Sequence, residues 1–378
     1  MASILVISFS DLRRDPRVRR QIDALLHTHT VTAAGFGDPG ISGVHFVGCA
    51  RVRRTLLTKI LEGIGLALRR YERHYWSLPH VTELLTKLTE VDFELVVAND
   101  LDTLPLALRI AGRRPVVLDA HEYAPREFED RFVWRVTRQG LARHLCARYL
   151  KRTTAMTAVC DGIAREYERE FLVQPVVIEN AAVYNERSPR PSSRESIRMI
   201  HHGAAIPSRR IEMMIDLMGH LDPRFSLDLM LVPENVHYLD RLRRRAARYR
   251  KIQFCDPIPM ERLVSACAEY DIGLFLLPPT NFNYLMALPN KFFEFIQSRL
   301  AVVIGPSPEM ARIVNRYRCG LVAPDFKPET MARLLNALTS EDLDLMKQGS
   351  NAAARVHNAE RNAEQLRAVV HQALNGRR

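Results

Sequence analysis

The chain of 378 residues carries 47% apolar residues, 26% charged residues and a formal net charge of +11. Such a length exceeds one ordinary core and suits two domains of typical size. No apolar run reaches the length of about 18 residues that a membrane-spanning helix needs. The positive charge favours partners that carry phosphate, but it does not distinguish nucleic acid, anionic lipid and phosphorylated substrates.

The N-terminal segment 1–14 places its apolar residues before its basic ones, which is the reverse of a signal peptide. We therefore interpret residues 1–9 as the first buried strand of a cytosolic domain. The six cysteines form no CxxC pair and have no histidine at ligand spacing, so we expect neither a disulfide framework nor a zinc site. They are Cys49, Cys146, Cys160, Cys255, Cys267 and Cys319.

Short apolar runs alternate with longer helical patterns through the first half of the chain. These runs are rich in β-branched residues and lack polar alternation, which is typical of strands covered on both faces. They lie at 4–7, 95–98, 116–118, 156–159 and 176–178. The alternation predicts a parallel, doubly wound sheet.

A polar, proline-bearing segment at 187–194 has the composition of a linker, and the alternation restarts after it. The later runs lie at 198–201, 227–232, 272–277 and 301–304. We predict an α/β fold with a first domain at 1–186, a linker at 187–196, a second domain at 197–355 and a closing helix at 356–378. Two such units leave a cleft, and ligands bind at the carboxyl ends of the strands.

Polar residues cluster where three of the predicted strands end. They occupy 8–17, 99–102 and 119–123. Loops are polar in general because Asp and Asn favour turns, so one such cluster indicates little. Three clusters at the same end of one sheet favour a ligand site.

The ordered set of motifs resembles the bacterial family 4 glycosyltransferases. The segments ANDLDTLP at 98–105, LDAHE at 118–122 and DPRVRRQ at 15–21 resemble the acceptor domain of that family. The segment VCDGIA at 159–164 is similar to its VSDGIA motif, and IEN at 178–180 to its PN segment. The resemblance implies a GT-B fold, with two Rossmann-like domains facing each other across a cleft. The first would bind the acceptor and the second the nucleotide-sugar donor.

In the first domain the resemblance implies three candidate catalytic residues, which are His121, Asp100 and Glu122. A histidine at the position of His121 lies close to the donor sugar in that family, although a histidine that satisfies a turn is the alternative. Asp100 would face the sugar or the acceptor. The family often has His-Asp where this chain has Asn99-Asp100.

In the second domain Gly203 ends the first predicted strand, and a glycine there permits close approach of the backbone to a ligand. A basic residue near the next helix can neutralise phosphate. The resemblance assigns this role to Arg209, with Arg210 as the adjacent alternative. Ala204 stands where the family often has a further arginine.

The segment ALPNKFFEFI at 287–296 is the strongest single motif. Pro289 suits the first turn of a helix, where the free N–H groups favour an anion. Lys291 adds a full charge in that turn, and Glu294 lies one turn further on, where a carboxylate can accept both ribose hydroxyls. This matches the family's LPNK-FE variant, whose lysine meets the diphosphate. Asn290 is included in the candidate site.

Two further positions follow from the resemblance. The family's base-binding loop corresponds to 254–258, where backbone groups at Asp256 and Ile258 would contact the nucleobase. Met286 occupies the place of the family's first glutamate, so the donor sugar is not predicted.

We expect a UDP-, GDP- or TDP-linked donor, no cofactor and no metal. The nearest DxD motif, Asp100-Leu101-Asp102, falls in the acceptor half, where a donor metal would be misplaced. Arg209, Lys291 and a helix N-terminus would instead stabilise the leaving diphosphate. The resemblance implies retention at the anomeric carbon, with the leaving phosphate as the base.

Two basic stretches at 51–76 and 131–152 mix Lys and Arg with Leu, Trp and Tyr at helical spacing. Such helices bind anionic membrane surfaces, or else they are solvated faces over an apolar core. We expect a cytoplasmic protein, peripheral to the inner face of the plasma membrane if these helices bind lipid. The acceptor would be a glycan, a polysaccharide, a lipid-linked molecule or a small molecule.

Three other functions are alternatives for such a sequence. A nucleotide-sugar epimerase on the same fold would share the donor site without an acceptor. A catalytically lapsed binding subunit would fit Ala204 and Met286. A nucleic-acid-binding protein is disfavoured, because the basic residues are spread over both halves and no nucleic-acid-binding motif appears.

Overall fold

The computed structural model describes residues 1–52 and 55–376, except for the side chains of residues 56, 57 and 59–61. The chain divides into two compact units. The first unit comprises Met1–Glu179, Asn281–Asn283 and the C-terminal residues from Asn362. The second comprises Asn180–Thr280 and Tyr284–Arg361.

The first unit is built on a seven-stranded sheet whose order is β3-β2-β1-β4-β5-β6-β7. All its strand pairs are parallel. The strands are β1 (Ser3–Asp11), β2 (Thr30–Phe36), β3 (Val44–Gly48), β4 (Leu95–Asn99), β5 (Val116–Ala120), β6 (Ala155–Ala158) and β7 (Val176–Val177). The helices are α1 (Pro16–Leu26), α2 (Leu56–Ala67), α3 (Tyr71–Trp76), α4 (Pro79–Lys87), α5 (Leu104–Ala111), α6 (Phe132–Thr137), α7 (Gln139–Tyr149) and α8 (Asp161–Phe171).

The second unit repeats this plan with a six-stranded parallel sheet in the order β10-β9-β8-β11-β12-β13. Its strands are β8 (Ile197–Ala204), β9 (Phe225–Val232), β10 (Ile252–Cys255), β11 (Ile272–Phe275), β12 (Ala301–Ile304) and β13 (Gly320–Val322). The helices are α9 (Glu212–Leu217), α10 (Val236–Ala246), α11 (Met260–Cys267), α12 (Phe282–Leu285), α13 (Asn290–Gln297), α14 (Pro308–Tyr317), α15 (Pro328–Asn336), α16 (Ser340–Ala354) and α17 (Ala359–Asn375). Helices α12 and α17 are shared between the two units.

The predicted α/β fold is confirmed, and every apolar run named above forms a strand. The run at 4–7 shows why, since Ile4, Leu5, Val6 and Ile7 are all buried although they alternate between the faces of the sheet. Such burial requires helices on both faces. Strands β2, β3, β10 and β13 were not predicted.

The strand order reverses direction at the first strand of each sheet. Between β1 and β4, and again between β8 and β11, the chain crosses to the other side of the starting strand. The crevice at the carboxyl ends of two such strands is the usual ligand position in doubly wound sheets. Each unit therefore has one such crevice.

The motif DPRVRRQ forms the start of α1. Asp15 caps this helix, because its carboxylate accepts hydrogen bonds from the backbone N–H groups of Arg17 and Val18 at 3.0 and 3.1 Å. Pro16 occupies the first turn, where its missing N–H has no cost. Val18 and Ile22 are buried in the core of the first unit, which fixes the side of the helix that faces the sheet.

The closing helix returns to the first unit. Leu366, Val370 and Ala373 of α17 pack in the same core as Ile4 and Val6 of β1. None of the helices within the described ranges is long and apolar enough to cross a bilayer.

The predicted linker at 187–196 lies in the second unit, whose first residue is Asn180. The Ser192 N–H donates to the Asp344 carboxylate at 2.8 Å, and Arg194 forms an ion pair with Glu341. Lys347 is 1% exposed and donates to the Asp271 carboxylate at 2.6 Å and to the Arg190 carbonyl at 3.2 Å. This segment is therefore attached to helix α16.

We predict that Lys347→Met lowers the free energy of unfolding by about 3 kcal/mol, because it leaves the Asp271 carboxylate largely buried without its counter-charge. Urea denaturation measures the change. Arg355→Ala, at an exposed position that follows the same helix, is the control. A loss below about 1 kcal/mol would show that the pair contributes no more than a surface ion pair.

Candidate functional site

The carboxyl ends of β4 and β5 carry a buried polar cluster that includes two of the predicted catalytic residues. Its centre is Asp119, which is 2% exposed. Arg17 donates to both carboxylate oxygens of Asp119, from Nε at 2.8 Å and from Nη2 at 2.6 Å. Gln21, one turn later on α1, and Thr157 donate to the same carboxylate at 3.1 and 2.5 Å. Asp119 is thus fixed by hydrogen bonds from α1 and β6.

His121 is held between two carboxylates. Its Nδ1 lies 3.2 Å from Asp100 Oδ2, and its Nε2 lies 3.4 Å from Asp119 Oδ2 and 3.2 Å from Asn99 Oδ1. Burial alone would lower the pKa of His121, but Asp100 and Asp119 raise it from 6.5 to about 9. The ring is therefore a cation at neutral pH, and its orientation is set by groups of its own unit.

Asp119 is ionised, as the charges of its neighbours require. Burial opposes its ionisation, but the guanidinium of Arg17 and the ring of His121 outweigh burial and hold the pKa of this carboxyl well below its usual range. Arg17, Asp119, His121 and Asp100 together carry balanced charge. Each charged group of this cluster has a partner of opposite charge within 3.4 Å.

Asp100 has a strained backbone. Its φ of 63° and ψ of 162° fall in a region that residues other than glycine rarely adopt. Two hydrogen bonds hold it there, from the Asp100 N–H to the Asp119 carbonyl at 2.9 Å and from the His121 N–H to the Asp100 carboxylate at 3.0 Å. Strain that the surroundings enforce is a feature of functional sites, and it turns this carboxylate toward His121.

Glu122 is exposed, and its surroundings are fixed by residues far along the chain. Asn283 accepts from the Tyr123 N–H at 2.8 Å and donates to the Tyr123 carbonyl and to the Glu122 carboxylate, both at 3.3 Å. The hydroxyl of Tyr167 donates to the Glu122 carbonyl at 2.9 Å. Asn283 was not predicted, because no sequence motif indicates that a residue from the second half of the chain packs in the first unit.

Glu127 was also missed. Burial and the carboxylates of Glu122 and Asp100 raise the pKa of Glu127 to about 9. A carboxylic acid of this kind keeps its proton at neutral pH and can donate a hydrogen bond. Its turn, between α5 and α6, has no pattern that distinguishes it from other acidic loops.

In the second unit the structure brings Gly203, Arg209 and Lys291 together at the end of β8. Gly203 has a φ of +117°, and a Cβ atom there would lie 3.0 Å from Lys291 Nζ and 3.6 Å from Arg209 Nη1. Both the backbone conformation and the available space therefore require glycine. Arg209 Nη1 donates to the Ala204 carbonyl at 3.3 Å, which keeps the guanidinium beside this strand end.

Lys291 is 6% exposed, yet no carboxylate forms an ion pair with it within the described part of the chain. Its Nζ lies 3.4 Å from His201 Nε2 and 4.6 Å from the centre of the Phe275 ring. Burial and the neighbouring guanidinium of Arg209 hold the pKa of Lys291 well below its usual range, against the opposing effect of Glu294. Two cations thus adjoin one glycine without a bound counter-charge.

His201 positions this ammonium group. Its Nδ1 lies 2.9 Å from the Leu274 carbonyl, so Nδ1 carries the proton and Nε2 is left as the acceptor that faces Lys291. The ring stacks on Phe275 with a centroid separation of 5.8 Å and an interplanar angle of 20°. Burial and the charge of Lys291 hold the pKa of His201 well below its usual range, which keeps the ring neutral. The sequence analysis did not identify His201 as part of the site.

Glu294 lies one turn after Lys291, with 12% of its side chain exposed. Its Oε2 is 3.5 Å from Nε2 of His202. Burial, Lys291 and Arg209 lower the pKa of His202 to about 3, and its buried Nε2 has no hydrogen-bond partner among the described residues. A buried polar atom of this kind can bind a water molecule or a ligand group.

Helix α13 begins at Asn290, and Pro289 is the capping residue before it, so the predicted placement of Pro289 in the first turn was wrong by one position. The side chain of this capping residue forms no hydrogen bond to the first turn, where the Phe292 N–H donates to the Pro289 carbonyl at 3.1 Å. A helix N-terminus of this kind attracts an anion, and Lys291 lies in that first turn.

The remaining predicted donor residues lie apart from this group. Arg210 is exposed, in the left-handed conformation with φ 52°, and no ion pair is found for it among the described side chains. Of the two adjacent arginines, the structure therefore brings Arg209 to Lys291. Asp256 is exposed and Ile258 half-buried in the loop after β10. That loop lies at the same edge of the sheet as Gly203, because β10, β9 and β8 are parallel.

We predict that the His121 cluster makes stability depend on pH. The folded-state pKa of His121 is raised, so its contribution is fully present below about pH 6.5 and is lost as the pH rises through about 9. The shift corresponds to an effect on the order of 3 kcal/mol. Urea denaturation should therefore show that His121→Gln destabilises the protein most at acidic pH and least above pH 9, whereas the exposed His237→Gln has no such trend. A pH-independent difference would contradict the charged state of His121.

No protein-family model matches the chain, and no curated protein sequence matches it significantly. Solved structures are similar over the full length. Anabaena Alr3699/HepE in complex with UDP-glucose has 14% identity and a TM-score of 0.72, covering 98% of this chain and 100% of that one. The α,α-trehalose 6-phosphate synthase of Burkholderia multivorans has 14% identity and a TM-score of 0.70, with 99% and 100% covered. The sucrose-phosphate synthase of Thermosynechococcus elongatus has 12% identity and a TM-score of 0.73, with both chains fully covered. The two Rossmann-like units of this chain therefore have the fold of the GT-B glycosyltransferases.

Proposed function

We propose that the protein is a retaining glycosyltransferase of the family 4 type, which transfers a sugar from a nucleoside diphosphate to an acceptor without a metal ion. The observation that carries the proposal is the buried ammonium of Lys291, which adjoins Arg209 at Gly203 and has no carboxylate partner among the described residues. A diphosphate supplies the missing negative charge. The structural neighbours include a complex of HepE with UDP-glucose and another with UDP, which supports a nucleotide-sugar donor.

The donor groups follow from the geometry of the second unit. Lys291, Arg209 and the N-terminus of α13 stabilise the charge that develops on the leaving diphosphate, so no divalent cation is required for that role. Glu294 accepts hydrogen bonds from the ribose hydroxyls, and backbone groups at Asp256 and Ile258 contact the nucleobase. Nε2 of His202 completes its hydrogen bonding with the ligand beside Glu294.

The acceptor groups belong to the first unit. His121, Asp100 and Glu122 follow β4 and β5 at the carboxyl end of the first sheet, where they would contact the acceptor. Because His121 is a cation and both its ring nitrogens are engaged, it acts through its charge and not as a base. The leaving phosphate takes the proton of the acceptor, as expected for retention. The acceptor is a glycan, a lipid-linked molecule or a small molecule, and the reaction takes place in the cytoplasm.

The adjacent arginines give a matched test of the donor site. We predict that a nucleoside diphosphate among UDP, GDP, TDP and ADP raises the melting temperature in the presence of EDTA. Arg209→Ala should weaken the binding of that nucleotide at least tenfold, because a phosphate contact is lost. Arg210→Ala should change the binding affinity less than twofold. Binding that requires Mg²⁺ would contradict the metal-free proposal, and equal effects of the two variants would contradict the assigned diphosphate position.

Proton uptake should accompany donor binding. The pKa of Lys291 is lowered in the free protein, and a bound diphosphate raises it, so donor binding at alkaline pH should be accompanied by net proton uptake. Calorimetric titrations in buffers of different ionisation enthalpy measure this uptake. Lys291→Met should bind more weakly and with no uptake, whereas the exposed Lys327→Met should behave like the wild type. Equal uptake by wild type and Lys291→Met would contradict the role of this ammonium group.

A further inference from the structure

One surface of the first unit exposes apolar side chains among arginines. We call it the α2–α6 surface. Its apolar members are Phe132, Val133 and Val136 of α6, which are 71%, 72% and 54% exposed, and Ile64 and Leu68 at the end of α2, which are 52% and 60% exposed. Burying apolar side chains of this size lowers the free energy of a protein in water. Five such side chains exposed together therefore indicate a surface that a partner covers.

The two helices lie side by side. Arg138 Nη2, just after α6, is 3.8 Å from Glu62 Oε2 of α2, and a Cβ atom on Gly63 would lie 4.0 Å from the side chain of Thr137. Phe132 and Val136 are four positions apart, as are Ile64 and Leu68, so each pair shares one side of its helix. The apolar side chains therefore form one surface across both helices.

Arginines surround these apolar residues. Arg69, Arg70, Arg73 and Arg131 are exposed, and no ion pair is found for any of them among the described side chains. The guanidinium of Arg131 lies over the Phe128 ring at 4.8 Å and forms no ion pair among the described side chains. Further along the predicted basic stretch at 131–152, Arg148 differs, because it is 3.2 Å from the Glu72 carboxylate. Arg53 and Arg54 of the other stretch lie outside the described residues.

We propose that the α2–α6 surface binds an anionic lipid bilayer, with its apolar side chains in the headgroup region and its arginines on lipid phosphates. Segments that bind at a membrane interface typically expose apolar side chains on one face and basic side chains beside them. Nucleic acid would match the arginines but leave the five apolar side chains in water. Membrane binding by this surface does not depend on the proposed function. If the protein is a glycosyltransferase, membrane binding implies that its acceptor is lipid-linked or assembled at a membrane.

The test is co-flotation of the full chain with vesicles of phosphatidylcholine alone or of phosphatidylcholine mixed with phosphatidylglycerol. We expect binding to the mixed vesicles and at least tenfold weaker binding to the neutral ones. Phe132→Ser with Val133→Ser and Val136→Ser should reduce binding at least fivefold. Leu345→Ser, at a 70% exposed position on α16, should leave it unchanged. A second variant, Arg69→Glu with Arg70→Glu, should abolish binding while keeping the apolar side chains.

Each other outcome counts against the proposal. Equal binding to both kinds of vesicle, or full binding by the triple serine variant, would overturn it. A dimer in solution that the triple variant converts to a monomer, without vesicle binding by either, would assign the surface to a second copy of the chain. The nucleotide-induced rise in melting temperature should persist in all variants, so failure of the surface proposal can be told from failure of the donor site.

Discussion

The buried ammonium of Lys291 is the interaction on which the proposed chemistry depends. A lysine that is 6% exposed normally has a carboxylate partner, because an isolated charge is costly in a medium of low polarity. Here the nearest groups are a neutral imidazole, the face of Phe275 and a second cation, Arg209. The fold maintains this arrangement through Gly203, whose missing side chain leaves room for Lys291 Nζ. This arrangement is the physical basis for proposing an anionic ligand at Lys291.

At the corresponding strand ends of the first unit, the cations are compensated by carboxylates. Arg17 and His121 are cations, but Asp119 and Asp100 compensate them at hydrogen-bond distance. A balanced cluster gives orientation, and it offers no strong attraction for an anion. Two units with similar strand orders thus have different electrostatics at these strand ends, and this difference is the reason for proposing the diphosphate site in the second unit.

Much of this architecture could be predicted from the sequence, because buried parallel strands are continuous apolar runs with clear boundaries. Strand β2 was not predicted, because its residues Thr30–Phe36 mix threonine, alanine and glycine. The motif around Lys291 and Glu294 also follows from local chemistry. The contacts of His201, Asn283 and Glu127 could not be predicted, because they arise when residues distant in sequence meet at strand ends. The hydrophobic periodicity of the sequence does not predict contacts of this kind.

This difference explains why the donor class can be proposed while the acceptor cannot be named. Donor binding depends on charge, and charge can be recognised from a few residues at a helix start. The proposed acceptor site depends on the shape and hydrogen bonding of exposed groups such as Glu122, whose partners Asn283 and Tyr167 come from two distant parts of the chain. The proposed membrane contact of the α2–α6 surface limits the class of acceptor on separate physical grounds. Five exposed apolar side chains among unpaired arginines fit an acceptor presented at an anionic bilayer, and fit poorly an acceptor that is free in solution.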